Sequence, residues 1–118
     1  MKNFLIVDDS AFMRNWIRRI LVGHGYAVSG EAENGRRALE QYKELAPDYV
    51  TLDVTMDEMN GLDALKRIME YDKEAMVIMV SAMGQEPVVR DSIVSGAKGF
   101  LVKPFDESTV LKTIESLN

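Results

Sequence analysis

The sequence predicts an α/β fold, a doubly wound parallel sheet of five strands with five helices, and three observations carry that prediction. Apolar runs alternate five times with stretches of helical period along the 118 residues. The runs Phe4-Leu5-Ile6-Val7 and Met76-Val77-Ile78-Met79-Val80 contain no polar residue, as strands buried on both faces require. Polar residues follow the runs instead of interrupting them: Asp8 and Asp9 after the first, Asp53 after the third, Ser81 after the fourth, Lys103 after the fifth.

The first strand is expected over Asn3 to Val7. After it Phe12, Trp16, Ile17, Ile20 and Leu21 recur at helical spacing and form the packing face. Arg14, Arg18 and Arg19 fall mostly on other faces, a solvated side with long stems over the core. Ser10 or Asp9 caps this helix, and Gly23 or Gly25 ends it. A second strand, Ala27 to Ala32, leads to a helix with Ala38, Leu39, Tyr42 and Leu45 that stops before Pro47. The third strand, Tyr49 to Leu52, is followed by Asn60-Gly61 and a helix with Leu62, Leu65, Ile68 and Met69. The fourth strand is Met76 to Val80, and its helix opens near Pro87, a residue suited to a first helical turn. The fifth, Gly99 to Val102, precedes a helix that starts at Asp106 or Ser108 and carries Val110, Leu111, Ile114 and Leu117. Right-handed crossovers can place these helices on either side of the sheet and so cover both faces.

Residues 1–118 are expected to form one domain, long enough for a single continuous core and without a visible linker, repeat or second module. Apolar residues make up 47% and charged residues 28%, the balance of a soluble globular chain. No segment approaches the ~18 apolar residues of a membrane span. The apolar run after Met1-Lys2-Asn3 is too short for a signal-peptide core, so cytoplasmic residence without membrane contact is expected. With no cysteine and one histidine, disulfides, thiol catalysis and a conventional zinc site fall away, and any metal must take oxygen ligands. A net charge of -5 argues against direct nucleic-acid binding and favours protein partners. The eight methionines are expected mainly as adaptable core filler, although Met56, Met59 and Met83 flank the candidate site. His24, near a helix end, receives no catalytic role.

In a parallel sheet all strand C-termini lie on one edge, which is where such folds bind ligands. Asp8, Asp9, Asp53, Ser81 and Lys103 therefore share one address. Singly, each has a plain reading: an aspartate pair can cap a helix, and a serine can end a strand. Jointly they describe a site. Crowded carboxylates repel, and a hard divalent ion such as Mg²⁺, with Mn²⁺ able to substitute, relieves the repulsion. Beside such an ion Asp53 could act as a nucleophile toward a phosphoryl donor. Lys103 and Ser81 could stabilise charge on the non-bridging oxygens, and the small Ala82 would leave the approach to Asp53 open.

The set Asp8-Asp9, Asp53, Ser81-Ala82 and Lys103-Pro104, in this order and at this spacing, resembles the response-regulator receiver domain across the whole chain. The stretches from Asp8 to Arg14, from Val80 to Gln85 and from Gly96 to Phe105 are most similar to stand-alone chemotaxis members of that family. The resemblance implies the flavodoxin-like strand order 2-1-3-4-5. It implies Asp53 as the phosphorylation site, Mg²⁺ held by Asp8, Asp9, Asp53 and the carbonyl of Thr55, and phosphoryl contacts from Ser81, Ala82 and Lys103. It also implies a cis Lys103-Pro104 bond and a switch in which Ser81 moves toward the phosphate and Phe100 turns inward. Implied too are Mg²⁺-dependent self-phosphorylation and autodephosphorylation in a protein that is otherwise not an enzyme. The phosphodonor is then a histidine kinase of a two-component system, and the target of the monomer is a protein such as a flagellar motor switch or a phosphatase. That target meets the fourth helix, fifth strand and fifth helix, roughly Glu86 to Ser95 and Gly99 to Leu117.

Three features limit the resemblance: Asp57 stands where proline is usual, Phe100 lacks the hydroxyl of the common tyrosine, and Thr55 and Met83 occupy variable positions that influence water access to the phosphate. Two alternatives remain: a receiver cut from a longer multidomain regulator, and an aspartate-nucleophile phosphatase of haloacid-dehalogenase type. The second wants an acid two residues after the nucleophile, where Thr55 stands. A flavin binder would want a loop rich in Ser, Thr and Gly after the first strand, where Asp8-Asp9-Ser10 would repel a phosphate.

Overall fold

A computed structural model describes residues 1–54, 60–82, 84 and 86–117, with Glu86 described through its backbone alone. Five strands and five helices alternate: β1 (Asn3–Val7), α1 (Ala11–Gly23), β2 (Ala27–Ala32), α2 (Gly35–Leu45), β3 (Tyr49–Asp53), α3 (Gly61–Tyr71), β4 (Val77–Ser81), α4 (Glu86–Val94), β5 (Gly99–Val102) and α5 (Glu107–Ser116). All strand pairs are parallel, and the sheet order is β2-β1-β3-β4-β5. The doubly wound fold and the strand order implied by the family resemblance are both present.

Strand alternation splits the core in two. One face of the sheet supplies Leu5, Val7, Val50, Leu52, Val77 and Met79, packed on Ala38 and Tyr42 of α2 and on Ala64, Leu65 and Ile68 of α3. The other supplies Phe4, Ile6, Tyr49, Ile78, Val80 and Leu101, packed on Ile17, Ile20 and Leu21 of α1 and on Val110 and Ile114 of α5. Phe4 joins this second core to its edge through a stack on Tyr49 and an edge contact with Tyr26.

Helix starts follow local chemistry. Ser10, Asn34, Asn60 and Asp106 are N-caps whose side chains accept backbone N–H bonds from Met13, Arg37, Asp63 and Thr109. At the other ends, Gly25 takes φ +88 after α1, and Ala46 takes a left-handed conformation immediately before Pro47.

Two expectations are corrected. β3 and β4 run one residue further than the apolar pattern, through Asp53 and Ser81, and β4 begins at Val77. The ladder continues past the apolar residues because the Ser81 carbonyl still accepts the Lys103 N–H and Asp53 still pairs with Val80. Phe12 does not join the packing face of α1 but is 77% exposed. It sits in the first turn, beyond the sheet edge that buries Ile17, Ile20 and Leu21.

Candidate functional site

The C-terminal edge of the sheet gathers the predicted residues. Asp8, Asp9 and Asp53 offer carboxylate oxygens that all lie within 4.8 Å of one another, with Asp8 and Asp53 buried and Asp9 exposed. Lys103 reaches over from the end of β5, its Nζ 3.2 Å from Asp8 Oδ2 and 3.6 Å from Asp53 Oδ1. Ser81 ends β4 beside it, its carbonyl accepting the Lys103 N–H at 2.8 Å, and the Lys103-Pro104 bond is cis. Ala82 is exposed, so no bulk stands over that strand end.

Asp8 and Asp53 are fixed by bonds that involve the main chain. Asp8 N–H donates to Ala32 of β2, its Oδ1 accepts the Ser10 N–H at 2.9 Å, and its main-chain carbonyl accepts Arg14 Nη1 at 2.6 Å. Asp53 is 4% exposed, and the next residue, Val54, donates to Val80 and accepts from Gly61. A Cβ at Gly61 would collide with the Asp53 carbonyl and the Val54 backbone, so only glycine lets α3 begin this close to the acid.

Three carboxylates against the Lys103 ammonium leave two negative charges uncompensated on a largely buried edge. Hard oxygen donors with that excess suit a dication. Oxygens sharing one Mg²⁺ lie at most ~4.2 Å apart, so the set can hold an ion with some ligands direct and others through water. Beside Lys103 an apolar hollow of about 540 Å³ is lined by Phe12, Met13, Trp16, Ala82 and Pro104 as well as the lysine stem. Trp16, one of its lining residues, stacks on Phe105 with ring centroids 5.1 Å apart.

Phe100 is half-buried in β5 and packs against the α2/α3 core. Thr55, Met56, Asp57, Met59 and Met83 lie outside the described residues. Sequence reasoning missed Arg14 and Glu31. Arg14 is not on a free solvated face, because Nε pairs with Glu31 Oε1 at 3.0 Å while Nη1 holds the Asp8 carbonyl. Arg18 pairs with the other oxygen of Glu31. The available signal was one acid near the end of Ala-Val-Ser-Gly-Glu-Ala, a strand otherwise of small residues.

The response regulator receiver domain profile matches residues 4–115. The chain is 53% identical over 117 residues to the chemotaxis protein CheY of Thermotoga maritima, covering 99% of this chain and 98% of that one. It is 56% identical over 110 residues to CheY of Bacillus subtilis, covering 93% and 92%. Among solved structures, CheY in the CheX-CheY-BeF3-Mg²⁺ complex of Borrelia burgdorferi superposes with a TM-score of 0.96 at 43% identity, over 98% of this chain and 88% of that one. Vibrio cholerae CheY4 gives 0.93 at 31%, over 100% and 99%. With that match and these strand-end residues, the chain belongs to the response-regulator receiver domain family, in which it is similar to chemotaxis CheY proteins along nearly its full length.

Proposed function

We propose that this chain is a phosphorylation-activated chemotaxis response regulator that accepts a phosphoryl group on Asp53. The observation that carries the reading is the placement of Asp53: nearly buried, at a strand end, within 4.8 Å of two further acids and 3.6 Å from the Lys103 ammonium. An Asp53 oxygen attacks phosphorus, the N–P bond of a phosphohistidine breaks, and the departing imidazole nitrogen takes up a proton. Lys103 then neutralises a phosphoryl oxygen, and the Ser81 hydroxyl at the neighbouring strand end donates to another. Asp8, Asp9 and Asp53, with the carbonyl of Thr55, are the proposed holders of Mg²⁺ or Mn²⁺. The ion would offset the excess negative charge and orient the incoming phosphate. Water later hydrolyses the acyl phosphate, so the protein serves as a self-resetting switch and not as an enzyme acting on other substrates.

The proposed donor is a histidine kinase. The proposed target is a protein, such as a flagellar motor switch or a phosphatase, that reads the surface of Glu86 to Ser95 and Gly99 to Leu117; the Borrelia relative bound to CheX gives a precedent for a protein partner. Ser81 drawn toward the phosphate vacates space into which Phe100 turns, a population shift of ~1–3 kcal/mol in coupling. The proposed setting is a monomer in the cytoplasm; among the described residues no helix is long and apolar enough to cross a membrane.

The test is intact mass after incubation with acetyl phosphate and Mg²⁺. One phosphate is expected on the wild type and none with a chelator or in Asp53→Asn. Lys103→Ala is expected to take up phosphate without the rise in partner binding. A phosphate retained by Asp53→Asn overturns the assignment.

A further inference from the structure

Asp9 is the acid of the site that nothing holds directly. Its carboxylate is exposed and makes no hydrogen bond or ion pair among the described residues, whereas Asp8 is buried and bonded to Ser10 and Lys103. The peptide that precedes Asp9 is held instead: its carbonyl, which belongs to Asp8, accepts Arg14 Nη1 at 2.6 Å. Arg14 can make that bond because its Nε is oriented by Glu31 Oε1 at 3.0 Å, and its side chain is only 19% exposed. Glu31 is in turn held from the other side by Arg18 Nε at 2.8 Å. It stands in β2, the outer strand that contributes no side chain to the acidic edge, and is paired with Ile6 of β1.

We infer that Arg14 and Glu31 are positioning residues for the metal-binding acids, a relay from β2 through α1 that fixes the Asp8-Asp9 peptide and so aims Asp9 at the ion. The inference rests on the proposed role of Asp8, Asp9 and Asp53 in holding Mg²⁺. Partners that orient a ligand govern affinity although they never touch the metal. Charge and positioning predict opposite signs here. Removing the Arg14 cation beside three carboxylates should tighten a dication if electrostatics alone mattered; removing a clamp on the Asp8 carbonyl should weaken it.

The experiment is Mg²⁺ binding to the full chain, by calorimetry and by the fluorescence of Trp16, which lines the hollow next to Lys103. Wild type, Arg14→Met, Arg14→Lys, Glu31→Gln, the Arg14→Met/Glu31→Gln pair and Arg18→Met are compared, with urea melts run alongside. Arg14→Met is expected to raise the Mg²⁺ Kd roughly tenfold, the low end for losing a partner of a metal ligand. Arg14→Lys, which can still donate to the Asp8 carbonyl, should recover part of the loss. The double variant should bind no worse than Arg14→Met, because Glu31 acts through Arg14. Arg18→Met removes the second partner of Glu31 but leaves the Arg14 bond to the Asp8 carbonyl in place, so it should shift the Kd less than Arg14→Met does. An unchanged or lower Kd in Arg14→Met, with stability alone reduced, overturns the relay. Failure of the underlying reading looks different: the wild type itself would not bind Mg²⁺, or Asp53→Asn would bind it equally well.

Discussion

Thr51 shows how closely a single side chain can be read. It lies in β3 two residues before Asp53, is 1% exposed, and its Oγ1 has no hydrogen-bond partner among the described residues. A buried hydroxyl without a partner keeps its desolvation cost, while valine has the same shape without it. Thr51→Val is expected to raise stability by ~1 kcal/mol, seen as a higher urea midpoint at unchanged slope; a lower midpoint would reveal a polar role that packing does not show. Tyr42 has the opposite character. Its phenol donates to Asp72 Oδ2 at 2.7 Å, and burial first, then the Asp72 carboxylate, push its pKa above the ordinary tyrosine range. Because the folded value is raised, the contribution is complete below the unfolded pKa of ~10 and is lost as pH rises above it. Tyr42→Phe should therefore lose less stability than the wild type between pH ~9.5 and ~11, measured by urea midpoints. At this scale the five strand-end residues of the site were legible in the sequence, since each closes an apolar run. Arg14 and Glu31 were not, because their pairing depends on which strand lies beside the first helix, and no run ends on either.

Elements were the most legible level, and their boundaries show why. Among the described residues the four N-caps Ser10, Asn34, Asn60 and Asp106 are Ser, Asn or Asp, residues whose short side chains bond the free N–H groups of a first turn. Asn60 is the cap nearest the site. It is followed by Gly61, whose N–H donates to Val54 at 2.7 Å, one residue past Asp53. Asn60→Ala is expected to cost ~1 kcal/mol in urea denaturation and, by loosening the start of α3, to slow phosphate uptake from acetyl phosphate. The same stability loss with unaltered uptake would mean that the cap supports the helix only. The one-residue offset of β4 and the exposure of Phe12 share a cause. Periodicity identifies a face and a run, but the partner strand decides where the ladder ends, and the extent of the sheet decides which turn of a helix is covered. Neither is written locally.

The arrangement of the whole sheet was the least legible from residues alone. Periodicity establishes alternating strands and helices, but the order β2-β1-β3-β4-β5 came with the family resemblance, since no residue pattern distinguishes β1 from β3 as the central strand. That order makes the site, because it seats β1, β3 and β4 side by side and brings three acids to one edge. Gathering like charges costs stability, and a bound dication would return it. A ligand present at 100 times its Kd adds ~2.7 kcal/mol to a folded state that alone binds it. The wild type should therefore be markedly more resistant to urea with saturating Mg²⁺ than with a chelator. Asp9→Asn separates the two effects. Removing one of three like charges should make the chelated protein at least as stable as the chelated wild type, since repulsion on the edge falls. The same change removes a proposed metal ligand, so added Mg²⁺ should raise the variant's midpoint far less. The two urea curves are thus expected to exchange order between chelator and Mg²⁺. If Asp9→Asn is the less stable form in both, the carboxylate is a structural group of the fold and the crowded edge is not held under electrostatic strain.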